Sequence, residues 1–159
     1  MNKSILLVLS LALAIACGKK EASAEDNYQP GGGEATTEAA DPASYDPKRG
    51  EGKYDTVELG ATLDQAMAAK GEEVSGVKCT SCHKMTDEKL VGPGWKGVTE
   101  RHKPEWIMNF ISNPDPMITK DPKLQAQLEI CLVRMPNQGL SDTESRSILE
   151  YMREIDGVK

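Results

Sequence analysis

Aromatic side chains are scarce in this 159-residue chain, at 4% with a single Phe, two Trp and four Tyr, and there are only two His. Basic residues are in deficit as well: 19 Lys and Arg stand against 25 Asp and Glu, a formal net charge of −6. With neither a basic stripe nor an array of stacking rings, the chain lacks the footprint of a nucleic-acid-binding protein. Internal repeats are absent, and no strand-like alternation runs beyond a few residues, which leaves helices as the regular structure. The one continuous apolar stretch, Ser4 to Ala16, is too short to span a bilayer. Cysteine is sparse, at four residues, yet two of them share one five-residue segment with one of the two histidines.

That segment is Cys79-Thr80-Ser81-Cys82-His83. A structural zinc site needs four ligands, and outside these residues only Cys17, Cys131 and His102 remain, none with the spacing of a second pair. A thioredoxin-like redox pair would need a preceding strand in a βαβ context, whereas the flanks here read helical. C-x-x-C-H is instead the spacing at which two thiols and one imidazole hold a single haem. The sulfurs of Cys79 and Cys82 each add to a vinyl group, and His83 turns a ring nitrogen toward the iron. Covalent attachment removes the need for a deep retaining pocket, so a small domain suffices.

The N-terminus supplies the compartment such chemistry requires. Residues 1–16 carry one basic residue, Lys3, followed by the apolar stretch, and are expected to be a signal peptide. Leu13-Ala14-Ile15-Ala16-Cys17 resembles a bacterial lipoprotein cleavage box, in which a small residue precedes a cysteine that receives diacylglycerol and becomes the mature N-terminus. Ala14 departs from the commoner Leu or Val, and ordinary cleavage, there or near Ala22 to Ala24, is the alternative. Residues 17–57 then read as a lipidated N-terminus and tether. Between residues 18 and 55 lie nine acidic and five basic residues, with Gly31-Gly32-Gly33, three prolines and hardly any large apolar side chain, too little to bury a core. As a coil it would hold the next domain about 30 to 35 Å from the lipid.

Residues 58–159 form the expected folded domain, all-α and built of about four helices. Apolar spacing predicts helices over 63–77, 104–112, 121–132 and 141–155. The second opens on Pro104 and ends at Asn113-Pro114, the third has Asp121 as cap, and Ser141 with Glu144 form a capping box for the fourth. Gly71 inside the first helix is either a tolerated weak spot or a point of close helix contact.

Haem iron needs a sixth ligand. Met85 is too near the attachment segment to reach the other haem face, while Met108 and Met152 fall within helical patterns and read as packing residues. Met117 and Met135 both read as loop residues, and spacing leaves the choice open between them. His102, at the charged entry to a helix, reads as a solvated side chain.

Several features occur in a fixed order: Cys79 to His83, Gly92-Pro93, Trp106-Ile107, Asn113-Pro114, Met135-Pro136, and Leu140-Ser141-Asp142 before a closing helix. From about Leu63 to Ile155 this order resembles a class I c-type cytochrome of the small bacterial monohaem type. The resemblance implies one covalently attached haem c bound through Cys79 and Cys82, with His83 and Met135 as axial ligands. It implies that Gly71 marks a crossing with the C-terminal helix and that the Pro93 carbonyl accepts a hydrogen bond from His83. Two departures stand out. Ser75 replaces a usual aromatic, predicting a looser crossing that Tyr151 partly fills, and Cys131 lies outside the pattern and reads as a buried small apolar residue. The implied function is one-electron transfer, not catalysis, between transiently docked redox protein donors and acceptors. The protein is expected as a monomer, exported and lipid-anchored through Cys17 to a bacterial membrane, with its domain in the periplasm or on the outer face. An electron-entry subunit of a larger oxidase or reductase, and a haem sensor or enzyme with a labile Met ligand, are the alternatives.

Overall fold

The structure, a computed structural model, describes residues 45–159. The expected signal peptide, the lipidation site Cys17 and most of the expected tether lie outside the described residues. Six α-helices and no strand occur among the described residues: α1 (Gln65–Lys78), α2 (Val98–Arg101), α3 (Pro104–Ser112), α4 (Pro114–Lys120), α5 (Pro122–Cys131) and α6 (Asp142–Ile155). None is long and apolar enough to cross a membrane.

Four of these follow the predicted segments: α3 opens on Pro104 without a side-chain cap, and side-chain caps open the other three. Asp64 accepts from the Met67 amide at 2.9 Å to open α1, and Asp121 accepts from Lys123 at 2.8 Å to open α5. Ser141 and Glu144 close the predicted capping box on α6. The helices α2 and α4 were not anticipated. Asn113-Pro114 does end α3, but Pro114 and Pro116 sit in the first turn of α4, where a missing N–H costs nothing. The short α2 has no side-chain cap of its own. Asp156, just beyond α6, supplies one, accepting from the amides of Gly97 and Thr99 at 2.5 and 2.9 Å and from the Thr99 hydroxyl at 2.6 Å.

α1 packs across α6, and Gly71 is the point of contact: a Cβ there would lie 2.1 Å from the Ser147 carbonyl oxygen. The close-contact reading of Gly71 therefore holds. The looser packing expected at Ser75 does not, because Ser75 is fully buried with its hydroxyl bonded to the Glu72 carbonyl at 3.0 Å. Trp95, Trp106, Ile107, Ile111, Ile148, Leu149 and Met152 form the centre of the core. On α6 the buried carboxylate of Glu150 is neutralised by Arg146 at 2.5 Å and Arg153 at 2.7 Å, and Arg153 also donates to the Gly60 carbonyl at 2.7 Å.

Residue 57, the expected boundary between tether and domain, falls in a segment that contacts the helices. Residues 45–57 lie against α3, α4 and the start of α6, and polar contacts hold them there. Asn109, 1% exposed, accepts from the Tyr54 amide at 2.9 Å and donates to the carbonyls of Arg49 and Tyr54 at 3.1 and 2.9 Å. Tyr45 donates to the buried Asp121 at 2.7 Å, Lys120 pairs with Glu51 at 2.5 Å, and Asp142 bonds Lys53 and Tyr54. Tyr45, Tyr54 and Val57 also pack against the core, but composition hid this strap because much of what secures it is backbone and polar.

Candidate functional site

The chain leaves α1 in a tight coil. Amides of Cys79 and Thr80 both donate to the Ser75 carbonyl, at 2.8 and 3.1 Å, and those of Cys82 and His83 to the Cys79 carbonyl, at 3.0 and 2.9 Å. These bonds gather both thiols and the imidazole at one end of the helix. The following loop folds back on them, with the Gly92 amide donating to the Cys82 carbonyl at 2.8 Å and Trp95 to the Lys84 carbonyl at 3.0 Å.

The return of the loop fixes the His83 ring. Nδ1 lies 2.8 Å from the Pro93 carbonyl oxygen. A carbonyl only accepts, so the proton sits on Nδ1 and the lone pair is left on Nε2, the tautomer of a metal-binding imidazole. Gly92 packs against the ring so closely that a Cβ would meet Cε1 at 2.4 Å and both ring nitrogens at 2.9 Å. The Trp95 ring lies 6.0 Å away, tilted at 44°, and is met edge-on by Tyr151 at 6.5 Å.

A cavity of about 340 Å³ opens beside this constellation, bounded by the end of α1, the 91–95 loop, α3, α5, the 133–140 loop and α6. Its walls are mainly apolar, from Trp106, Ile107 and Phe110 on α3, Leu124 and Leu128 on α5, and Ile148 on α6. Burial pushes the Cys79 thiol up to about 11, against the opposing pull of Lys78 and with a small further push from Cys82. A buried neutral sulfur of this kind suits an uncharged thioether. An apolar slot with two sulfurs and a fixed imidazole at its edge fits a flat macrocycle held at one side.

The remaining ligand candidates separate on this geometry. Met135 and Pro136 line the cavity. Met117 does not: instead of a loop it occupies α4, is 0% exposed, and packs under Gly50, where a Cβ would meet its Cε at 2.3 Å and Sδ at 2.8 Å. His102 is no solvated side chain. It is half-buried on the cavity wall and stacks on Trp106 with centroids 3.8 Å apart and planes 15° apart. Met152 belongs to the core, as its helical spacing predicted, and also borders the cavity. Cys131, the last residue of α5, is half-buried at the wall and not fully buried, with the Gln127 side-chain amide 3.7 Å from its sulfur.

Comparison with known proteins agrees with this architecture. The cytochrome c family matches residues 68–156, more than half of the chain. No curated protein matches it significantly. Among solved structures, a cytochrome c from Rhodothermus marinus is similar at 36% identity and a TM-score of 0.64, over 66% of this chain and 90% of that one. An engineered form of that cytochrome, Rma TDE, has 35% identity and a TM-score of 0.63 over the same shares. The engineered form bound to a carbene intermediate has 36% identity and a TM-score of 0.61. Carbene binding is a property of that engineered protein. With a fold, a cavity and a family match that agree, this chain belongs to the cytochrome c family, as a haem c electron carrier with covalently attached haem.

Proposed function

We propose that Cys79 and Cys82 form the two thioether bonds to the haem and that His83 and Met135 are its axial ligands, making the protein a closed, six-coordinate electron carrier. The observation that carries this reading is the His83 ring held between Gly92 and the Pro93 carbonyl at the edge of a cavity that Met135 also lines. The haem supplies a one-electron Fe(III)/Fe(II) couple. The Pro93 carbonyl keeps the proton on His83 Nδ1, orients the ring and raises the basicity of Nε2. Met135, a soft neutral donor, favours the reduced state and leaves no open position for dioxygen or peroxide. Trp95, Trp106 and the aliphatic walls exclude water.

The same reading has the domain exported and lipid-anchored through Cys17, meeting redox partners at a membrane surface. Support comes from the leader and cleavage box, and from exposed apolar residues: Val133, which lines the cavity, is 53% exposed, and its chain neighbours Ile130 and Leu132 are 62% and 84% exposed. A small patch of this kind favours brief docking and fast release, and a tether raises the local concentration of membrane-bound partners.

Optical spectra of the haem-loaded protein, before and after acid-acetone extraction and in a Met135→Ala variant, test the reading. Haem that survives extraction and a low-spin spectrum that becomes ligand-accessible in the variant are expected. An unchanged low-spin spectrum in Met135→Ala would move the sixth ligand elsewhere, and extractable haem would refute the thioether assignment. Labelling of Cys17 by fatty acid, abolished in Cys17→Ser, tests the anchor.

A further inference from the structure

Only two histidines occur in the chain, and the electron-carrier reading uses one. The other, His102, sits at the C-cap of α2 on the wall of the same cavity, stacked flat on Trp106, which in turn stacks on Phe110 at 5.1 Å. We infer that His102 is a potential-setting residue: it binds a proton more tightly when the haem is reduced, so that electron uptake draws in part of a proton at this ring. The inference rests on the reading that haem fills this cavity.

The argument is electrostatic. Two porphyrin nitrogens carry negative charge, so a ferric centre with neutral His and Met ligands has a net charge of +1 and a ferrous one has none. A half-buried ring in the wall of the cavity would face that charge across little water, where screening by salt is weak. The imidazolium is therefore disfavoured beside the oxidised centre and relieved by reduction. As the protein gains one electron from its donor, neutral His102 rings take up a fraction of a proton from solvent, and both leave on reoxidation. The other charged groups facing the ring set where this happens. Burial is the largest influence and holds His102 below its usual 6.5; Arg101 on α2 and Lys123 on α5 act the same way, while Asp121 at the α5 N-cap opposes them. Asp121 is itself bonded by Tyr45 of the strap, and α3 contributes the uncharged Trp106 and Phe110 to the stack.

The sign follows. At low pH His102 is protonated in both redox states and the potential is high; at high pH it is neutral in both and the potential is lower. Between these plateaus the midpoint falls as pH rises. A tenfold difference in proton affinity between the two states separates the plateaus by 59 mV for a one-electron couple.

The experiment is potentiometric titration of the haem-loaded protein between about pH 4 and 8, for the wild type and His102→Gln. Gln keeps a planar polar group against Trp106 but does not titrate, and the haem propionates, a competing source of pH dependence, are the same in both proteins. A midpoint that falls more steeply with pH in the wild type than in the variant is expected, the difference being the share of His102. A flat wild type, or the same fall in both proteins, overturns the inference. NMR titration of the His102 ring in reduced and oxidised wild type provides a check independent of the substitution: a higher midpoint in the reduced form is expected, and equal midpoints refute the coupling. Absence of any one-electron wave would refute the carrier reading and this inference with it, whereas a one-electron wave without pH dependence refutes this inference alone.

Discussion

Adding one methyl group at Gly71 tests how the helical frame closes. A Cβ there would lie 2.1 Å from the Ser147 carbonyl oxygen, 2.6 Å from its carbonyl carbon and 2.8 Å from Tyr151 Cβ. The first two are backbone atoms of α6, so no rotamer change relieves them, and α1 and α6 must move apart by about 1 Å to restore ordinary contact. Overpacking of this kind costs about 3 kcal/mol when backbone must shift. Ala offsets about 1 kcal/mol of that through its better helix propensity. Gly71→Ala is therefore expected to lose about 2 kcal/mol, lowering the urea midpoint of the haem-loaded protein by about 1 M. Gly76 provides an internal control, since it lies in the same helix with nothing within 4 Å of its would-be Cβ. Gly76→Ala is expected to gain up to about 1 kcal/mol. Urea unfolding followed by far-UV circular dichroism compares the two, and shifts in the same direction would refute the idea that Gly71 is required by the crossing.

Gly92→Ala is expected to push the His83 ring off its Pro93 acceptor, because the new Cβ would lie 2.4 Å from Cε1; a normal low-spin absorption spectrum in this variant would count against the cradle. Asn109→Leu removes three of the bonds that hold the strap and strands their backbone partners, at about 2 kcal/mol or more. Limited proteolysis should then cut between residues 45 and 57 while α3 stays intact, and unchanged resistance would show that other contacts suffice. Glu144 is held down to about 2, first by the Ser141 amide and then by Lys78 and the Ser141 hydroxyl. A depressed carboxyl stabilises the fold fully above its ordinary 4.5 and loses that contribution as pH falls toward 2. Acid unfolding should accordingly begin at higher pH in Glu144→Gln, and coincident acid transitions would remove Glu144 from the account.

Much of the site was legible because its chemistry is local. The five residues from Cys79 to His83 declare a haem by spacing, and a Ser141/Glu144 box declares a helix start, without reference to the rest of the chain. What escaped depends on partners distant in sequence. α2 is too short to announce itself by periodicity, and its cap comes from Asp156. Asn109 carries no signal of its own, because its strap partners Arg49 and Tyr54 lie more than fifty residues away in the chain. Pro114 reads equally as a stop for one helix or the first turn of the next, and the second reading puts Met117 in a helix and off the cavity wall. His102 looked solvated because its neighbours Arg101 and Lys103 are charged, whereas stacking four residues along on Trp106 turns it inward.

The cap that Asp156 places on α2 also imposes an order in time. α6 is made after every other helix of the described chain, and until it docks on α1 neither the α2 amides nor the cavity wall formed by Ile148 has its partner. Cys79 and Cys82 are therefore synthesised long before the enclosure that surrounds them can shut. The last helix acts as a latch that comes late, giving whatever joins haem to the chain an interval in which both sulfurs are reachable.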